Sequence, residues 1–429
     1  MPHIIIDGER IETKAGKTVI EAAYENGLQI PHFCWHPELS VSGNCRMCLV
    51  EIGMPKRMQD GAFDTGTDGK PVVNYFPKLQ IACATTVTDG MHVLTHSDKA
   101  IKAREAVMEF LLINHPLDCP ICDEAGQCKL QEYSYIHSKG ESRFTEEKTH
   151  GDKRIPWSDK VLYDAERCIK CSRCIRFGQE IAGQDVLTFI NRGDHVTIKV
   201  AEGTRFDNDY SMNVIDICPV GALTSPDFRF KSRVWDMSFN PSICPGCSRG
   251  CNIKIGVRNN EILRLEPDVN MQVNKYWMCD EGRLKQFPFV NKNRINEPLV
   301  RIDNTLRECS WDEAHDYAIA ELRRFKAHEI MFVASERAAC EGNYLLNKFA
   351  RKVLKCQNVD FPRHIDETFE DRLLRRKEIA PNATGAEAIG CSAGIHAVKM
   401  SELAEKIHYQ HIKAIYILEE DFTGYESLL

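Results

Sequence analysis

His115-Pro-Leu-Asp-Cys119-Pro-Ile-Cys122, then five residues to Cys128, and further on Cys168-Ile-Lys-Cys171-Ser-Arg-Cys174, place two dense sets of soft ligands on one short segment. Two more sets lie upstream and downstream. Together the four sets use fifteen of the nineteen cysteines and one histidine, which divides into four sites of four ligands. Thiolates repeated at such spacings point to iron–sulfur clusters in series, and a series of clusters implies electron transfer.

The rest of the composition narrows the reading. A chain of 429 residues exceeds one ordinary core, and its length suggests about three domains. A hydrophobic share of 43% and a charged share of 27% are those of a globular protein. The net charge of -7 offers no basic footprint for nucleic acid. The run Arg372-Leu-Leu-Arg-Arg-Lys377 is expected on a solvated helix face. Met1-Pro-His-Ile-Ile-Ile-Asp-Gly lacks a charged segment followed by a long apolar run, and no window is long enough to span a bilayer, so a cytoplasmic protein is expected. In that compartment, CxxC spacings are better read as metal-binding thiolates than as disulfides.

Residues 1–97 read as a small β-rich domain with one helix. His3-Ile6 and Ile11-Thr13 flank the turn Asp7-Gly8, and Thr18-Val-Ile-Glu21 is a capping box opening a helix that Gly27 closes. Cys34, ten residues to Cys45, two to Cys48 and thirty-four to Cys83 supply four thiolates, and Gly43 allows close backbone approach. This set resembles that of plant-type [2Fe–2S] ferredoxins, in the variant carrying Cys45-Arg-Met-Cys48-Leu-Val-Glu51. The gap before Cys83 is longer than in the compact motif, and its Gly/Asp-rich stretch Asp60–Gly69 is expected to be an inserted surface loop. The competing reading of the four cysteines is structural zinc.

Residues 98–150 begin with a predicted helix, Ala100 to Ile113, with an apolar face of Ile101, Val107, Phe110, Leu111 and Ile113, which delivers His115. His115, Cys119, Cys122 and Cys128 in isolation would suit zinc; between two ferredoxin-like segments they suit a [4Fe–4S] cluster, with imidazole making it less negative. Residues 151–233 carry Cys168, Cys171 and Cys174, and Cys218-Pro219 is the expected fourth ligand of a single [4Fe–4S] cluster. His36 and His92 are assigned no role.

Residues 234–298 carry Cys244-Pro-Gly-Cys247-Ser-Arg-Gly-Cys251 and Cys279, an arrangement similar to the N-terminal cluster domain of molybdopterin oxidoreductases. In that family a lysine follows the fourth cysteine; here Cys279-Asp-Glu-Gly-Arg is acidic, which weighs against a pterin centre. Residues 299–429 alternate helix and strand. Ser310-Trp-Asp-Glu313 opens a helix with Trp311, Ala314, Ala318, Leu322 and Phe325 on one face, Glu329–Ala334 and Ile412–Leu418 read as strands, and Gly342 to Leu354 reads as a helix. Such alternation implies an incomplete α/β layer with a parallel sheet. The end at Leu429 suits a fragment, a split subunit or a shortened remnant. Cys309, Cys340, Cys356 and Cys391 lack ligand spacing and are expected to be ordinary buried or partly buried thiols.

In this order the motifs closely resemble the large iron–sulfur subunit of NADH:quinone oxidoreductase, respiratory complex I. The resemblance implies an α+β multidomain protein. It would comprise a β-grasp [2Fe–2S] ferredoxin-like domain, a [4Fe–4S] domain with one histidine and three cysteine ligands, a ferredoxin-like [4Fe–4S] domain, a molybdopterin-oxidoreductase-type [4Fe–4S] domain and a partial α/β domain. It implies one [2Fe–2S] cluster on Cys34, Cys45, Cys48 and Cys83. It implies three [4Fe–4S] clusters, on His115, Cys119, Cys122 and Cys128; on Cys168, Cys171, Cys174 and Cys218; and on Cys244, Cys247, Cys251 and Cys279, the last lying off the main electron path with a structural role. No molybdopterin and no catalytic acid, base or nucleophile are expected. Partners would be the other peripheral-arm subunits, including the flavin-bearing NADH-binding subunit, and the chain would sit on the inner face of the cell membrane through its complex without spanning it. The rivals are a subunit of a NAD-linked formate dehydrogenase, a hydrogenase or its diaphorase partner, and a zinc scaffold.

Overall fold

Asp7 and Gly8 hold φ values of 48° and 92°, the left-handed pair that a two-residue hairpin needs. The turn folds strand His3–Ile6 onto Glu9–Glu12, with His3 opposite Glu12 and Ile6 opposite Glu9. The second strand thus starts before the expected Ile11. His92–Leu94 pairs in parallel with the first strand and antiparallel with Leu49–Pro55, which in turn pairs with Val73–Tyr75 and Gln80–Ile81. Across this mixed sheet lies the helix Val19–Glu25, opened by the full Thr18/Glu21 capping box. It buries Val19, Ile20, Ala22 and Ala23 against Ile4, Ile6, Val50, Ile52 and Val93, which is the β-grasp arrangement.

These features come from a computed structural model that describes residues 1–59, 63–67, 69, 71–292 and 294–421. The chain divides into two units, Met1–Met237 and the residues from Ser238 onward. The predicted loop Asp60–Gly69 lies partly outside the described residues; around it, Arg57 bridges Phe63, Thr65 bridges Pro71, and Val73–Tyr75 returns as a strand of the sheet. The insertion is therefore in part an extension of the sheet.

In the same unit, helix Asp98–Leu112 follows an N-cap at Ser97. Its inward residues are Ala100, Arg104 and Met108, so the expected apolar face is wrong: Phe110 is 76% exposed and Ile101 38%. Hydrophobic count misled because the inward row contains an arginine, whose guanidinium reaches the Leu49 carbonyl. Helix Lys129–His137 packs beside it. Helix Arg173–Glu180, the one-turn helix Asn213–Asp216 and the small sheet of Ile155–Pro156, Leu162–Tyr163 and Leu223–Thr224 complete the framework, around buried Trp157, Tyr163 and Phe206.

The second unit opens with an antiparallel meander, Ser238–Ile243, Asn252–Arg258 and Glu261–Pro267. After the hairpin Leu299–Ile302/Thr305–Glu308 comes helix Trp311–Leu322 with its capping box intact. That helix fully buries none of its residues and Trp311 is 65% exposed; of the row expected on one face, Leu322 and Phe325 pack against the core of the unit. Ile330–Val333 is fully buried and lies in parallel between Val359–Asp360 and Ala414–Ile417. The expected helix at Gly342 begins at Cys340 and continues after Lys348 as a π-turn, Phe349–Val353. Cys356 and Cys391 are buried and Cys309 half-buried, whereas Cys340 is exposed at the helix start. The basic run Arg372–Lys377 is not helical. It is an irregular turn in which the Asp371 carboxylate caps successive backbone amides and buries Leu374. Among the described residues no helix is long and apolar enough to cross a membrane.

Replacing Thr18 with Ala removes the hydroxyl that accepts from the Glu21 amide, leaves the backbone amide of residue 18 to donate to the Glu21 carboxylate, and is expected to destabilise the helix by about 1 kcal/mol. Hydrogen exchange at the amides of Val19–Glu25 measures this, and unchanged protection would contradict it.

Candidate metal centres

The first ligand set hangs on the loop that follows the β-grasp helix. Cys34, Cys48 and Cys83 are each 1% exposed, and the sulfurs of Cys34 and Cys45, Cys34 and Cys83, and Cys48 and Cys83 are in contact. Gly43 takes φ 66°, where a Cβ would stand 3.2 Å from Ile81. The shared contacts push the Cys34 thiol strongly down and those of Cys45 and Cys83 up. Cys48 is pushed down as well, through its contact with Cys83.

His115 emerges just past the helix Asp98–Leu112, Cys119 starts the short turn Cys119–Ile121, and Cys128 precedes helix Lys129–His137. All four members of this set line one cavity of about 280 Å³. Burial, aided by the charge of Arg167, lowers the His115 pKa to about 4, so its imidazole is neutral and its lone pair is available. Burial also raises Cys128 to about 12. Arg233 ties the loop down by donating to the carbonyls of Cys122 and Pro120.

Cys168, Cys171, Cys174 and Cys218 line a second cavity of about 330 Å³ with Tyr163, Arg173, Ile198 and Val220. Lys170 and Ser172 hold left-handed φ values of 57° and 64° between the cysteines, a tight winding that turns three sulfurs to one side. Burial raises Cys171 to about 11 and lifts Cys174 and Cys218 well above the usual thiol range. The Nε of Arg173 is buried with no partner among the protein's own atoms. Buried donors are rarely left unmatched, so the cavity lining suits a sulfur-rich acceptor.

In the second unit, Cys244, Cys247 and Cys251 occupy the link between the first two meander strands, closed by Cys244 N–H donating to Cys251 O at 2.8 Å. Cys279 caps helix Asp280–Lys285, its Sγ accepting from Gly282 N at 3.3 Å. The four line a cavity of about 350 Å³ with Glu281, Phe369, Leu374 and Arg375. Burial places Cys244 at about 11 and Cys251 and Cys279 at about 12. Arg375 comes from the basic run that looked solvated. Only its nearness to Leu374 and Phe369 hinted that the run is partly inward.

Every predicted ligand set is thus brought together. Among the described residues no three His, Cys, Asp or Glu side chains converge on a single-ion position. In three of the four sets the donors instead line a cavity. His36, given no role from sequence, is buried beside Arg173 and Arg176, and burial lowers its pKa to about 3.

The sets in the first unit share walls. Arg173 donates to the Ile217 carbonyl at 2.8 Å and to the Trp35 carbonyl at 2.5 Å. Arg176 donates to the carbonyl of Cys34 at 2.5 Å, to that of Cys171 at 3.4 Å, and to that of Ser40. Farther along, Val220 lines the Cys168 cavity while the next residue, Gly221, lines that of His115.

Four of the five matching family models fall one to a set. A 2Fe-2S iron-sulfur cluster binding domain matches residues 2–98, the NADH-ubiquinone oxidoreductase-G iron-sulfur binding region 104–143, and the ferredoxin-like domain of NADH-quinone oxidoreductase subunit 3 158–224. A molybdopterin oxidoreductase Fe4S4 domain matches 237–284, and a molybdopterin oxidoreductase model matches 294–367. These matches and the gathered thiols define an iron–sulfur protein with 2Fe-2S and 4Fe-4S domains. NADH-quinone oxidoreductase subunit 3 of Thermus thermophilus is 37% identical over 374 residues, 84% of this chain and 47% of that protein. The NADH-quinone oxidoreductase G subunit of Rickettsia typhi is 39% identical over 82% of this chain and 49% of its own length, and that of Streptomyces coelicolor 38% over 86% and 42%. Over more than four fifths of its length the chain is thus similar to G subunits of NADH-quinone oxidoreductase. It spans about half the length of the curated relatives it matches. A NAD+-reducing [NiFe]-hydrogenase chain is 26% identical with a TM-score of 0.41, covering 54% of this chain and 91% of that one, a likeness too slight to bear on the assignment.

A Cβ on Gly221 would fall 2.2 Å from Cys122 Sγ and 3.0 Å from Glu124. Gly221→Ala is therefore expected to destabilise the first unit by about 1–3 kcal/mol through overpacking. Chemical denaturation followed at Trp157 tests this, and an unshifted midpoint would contradict the close approach.

Proposed function

We propose that this chain is the electron-transfer subunit of an NADH-quinone oxidoreductase, passing electrons from the flavin site towards quinone. Its residues would hold one [2Fe–2S] cluster on Cys34, Cys45, Cys48 and Cys83. Three [4Fe–4S] clusters would take His115 with Cys119, Cys122 and Cys128; Cys168, Cys171, Cys174 and Cys218; and Cys244, Cys247, Cys251 and Cys279. When bound, each cluster supplies a one-electron carrier whose potential depends on ligand type, hydrogen bonds to sulfur and exclusion of water. The domain limits 1–97, 98–150, 151–233, 234–298 and 299–429 belong to the same reading, as does a chain free of molybdopterin.

One observation carries the proposal: neighbouring ligand sets are built from shared segments. Residues 172–176 hold carbonyls of the Cys34 loop on one side and line the Cys168 cavity on the other. Residues 218–221 supply a cysteine to one cavity and the floor of the next, where Pro219 O also accepts the Lys129 amide at 3.0 Å. The order along the wire is then the Cys34 set, the Cys168 set and the His115 set. This order differs from the order in the sequence. Side chains at each set orient the ligands and keep water out; none is placed to move a proton to a substrate. The Cys244 set takes a structural role, in line with the acidic Glu281 in its lining, where molybdopterin enzymes carry lysine.

The partners on this reading are the peripheral-arm subunits, the flavin-bearing NADH-binding subunit among them, and the chain lies at the inner face of the membrane through that assembly. Metal and sulfide analysis of the anaerobically purified protein is expected to give about fourteen iron per chain, with neither zinc nor molybdenum. Stoichiometric molybdenum would favour the formate dehydrogenase reading, and zinc in place of iron a scaffold. In the assembled complex, Cys171→Ala is expected to abolish NADH-driven quinone reduction; undiminished turnover would refute the wire.

A further inference from the structure

The helix Arg173–Glu180 carries two arginines on its first turns, and both point into the space between the Cys34 and Cys168 sets. The three guanidinium nitrogens of Arg173 have separate surroundings. One terminal nitrogen donates to Ile217 O at 2.8 Å, next to Cys218; the other donates to Trp35 O at 2.5 Å, next to Cys34. The third, Nε, is buried without a protein partner, and Arg173 is part of the wall of the Cys168 cavity. Among the described residues no carboxylate pairs with it. Burial lowers its pKa, and the sulfurs of Cys171, Cys218 and Cys34 oppose that shift, which places all three within electrostatic reach. Arg176, 7% exposed, repeats the pattern with the carbonyls of Cys34 and Cys171.

We propose that Arg173 sets the reduction potentials of two neighbouring clusters at once, donating its Nε–H to sulfur of the cluster in the Cys168 set while its terminal nitrogens hold the Cys34 and Cys218 loops at fixed separation. This rests on the cluster assignment above. The physical basis is simple. Reduction adds a negative charge, and a buried cation with a donor aimed at sulfur stabilises the reduced form, raising the potential. A cation shared between two sites raises both. Lysine could supply the charge but not the rigid three-way fork.

The experiment is an EPR-monitored redox titration of the assembled complex carrying Arg173→Gln. The midpoints of the [2Fe–2S] cluster and of the Cys168-set cluster are expected to fall together, while that of the Cys244-set cluster stays in place. In deuterated buffer, the exchangeable-proton coupling to the reduced Cys168-set cluster is expected to disappear. Arg173→Lys, which keeps the charge, is expected to restore much of the [2Fe–2S] midpoint but not the proton coupling. Full iron content with both midpoints unmoved would overturn the proposal. If Arg173→Gln fails to fill its clusters, the titration of Arg173→Lys decides: an unchanged proton coupling overturns the donor role, and its loss supports it. Absence of iron from the wild-type protein would instead sink the cluster assignment itself.

Discussion

A buried thiolate is expensive unless something positive stands beside it, and that constraint governs most of this chain. Fifteen sulfurs are gathered into tight sets, and most are buried. Burial outweighs the nearby arginines and raises the thiols of Cys171, Cys174 and Cys218 above the usual thiol range. Filling such a set with iron displaces the thiol protons, so acid opposes loading. Around the sets the chain supplies what a sulfur-rich group accepts: backbone amides at helix starts, as at Gly282, and guanidinium groups, as at Arg173. The β-grasp sheet, the small sheets and the meander serve chiefly to hold loops whose own backbone is wound tightly.

Ligand spacing was legible because coordination is a local demand written in residue type. Four donors must meet, and only a few chain lengths let them do so; the cavities contain the expected residues. Capping boxes at Thr18 and Ser310 were legible for the same reason, since both partners lie within one turn. Faces were less legible. Helix Asp98–Leu112 turns Arg104 inward because a carbonyl of Leu49, far away in sequence, is there to accept it. Helix Trp311–Leu322 leaves Trp311 outside while Leu322, on the same row, packs against the core. Periodicity reports that a helix has two faces, and tertiary context decides which one is covered.

The basic run at Arg372 shows the same limit from the other side. Charge clusters normally lie in water, but Asp371 pins this one into a turn, and Arg375 joins the wall of the Cys244 cavity. The parallel strands at Ile330 and Ala414 were readable as apolar runs, whereas the two-residue strand Val359–Asp360 was too short to read. What they support in the second unit is a sheet whose carboxyl ends gather Ser335, Glu336, His364 and Glu420 into one hydrogen-bonded group.

The loops of the Cys34 and Cys168 sets are laced by Asn44 to Lys170 O, Ser42 to Ser172, Ser40 to Glu180, and the two arginines. Residues 1–97 are therefore not an interchangeable ferredoxin module, despite looking like one in sequence. Cutting the chain after that stretch would strip partners from the carbonyls of Cys34, Trp35 and Ser40. A chimaera that exchanged one segment without the other would join mismatched surfaces, because positions 40–44 and 170–180 are fitted to each other.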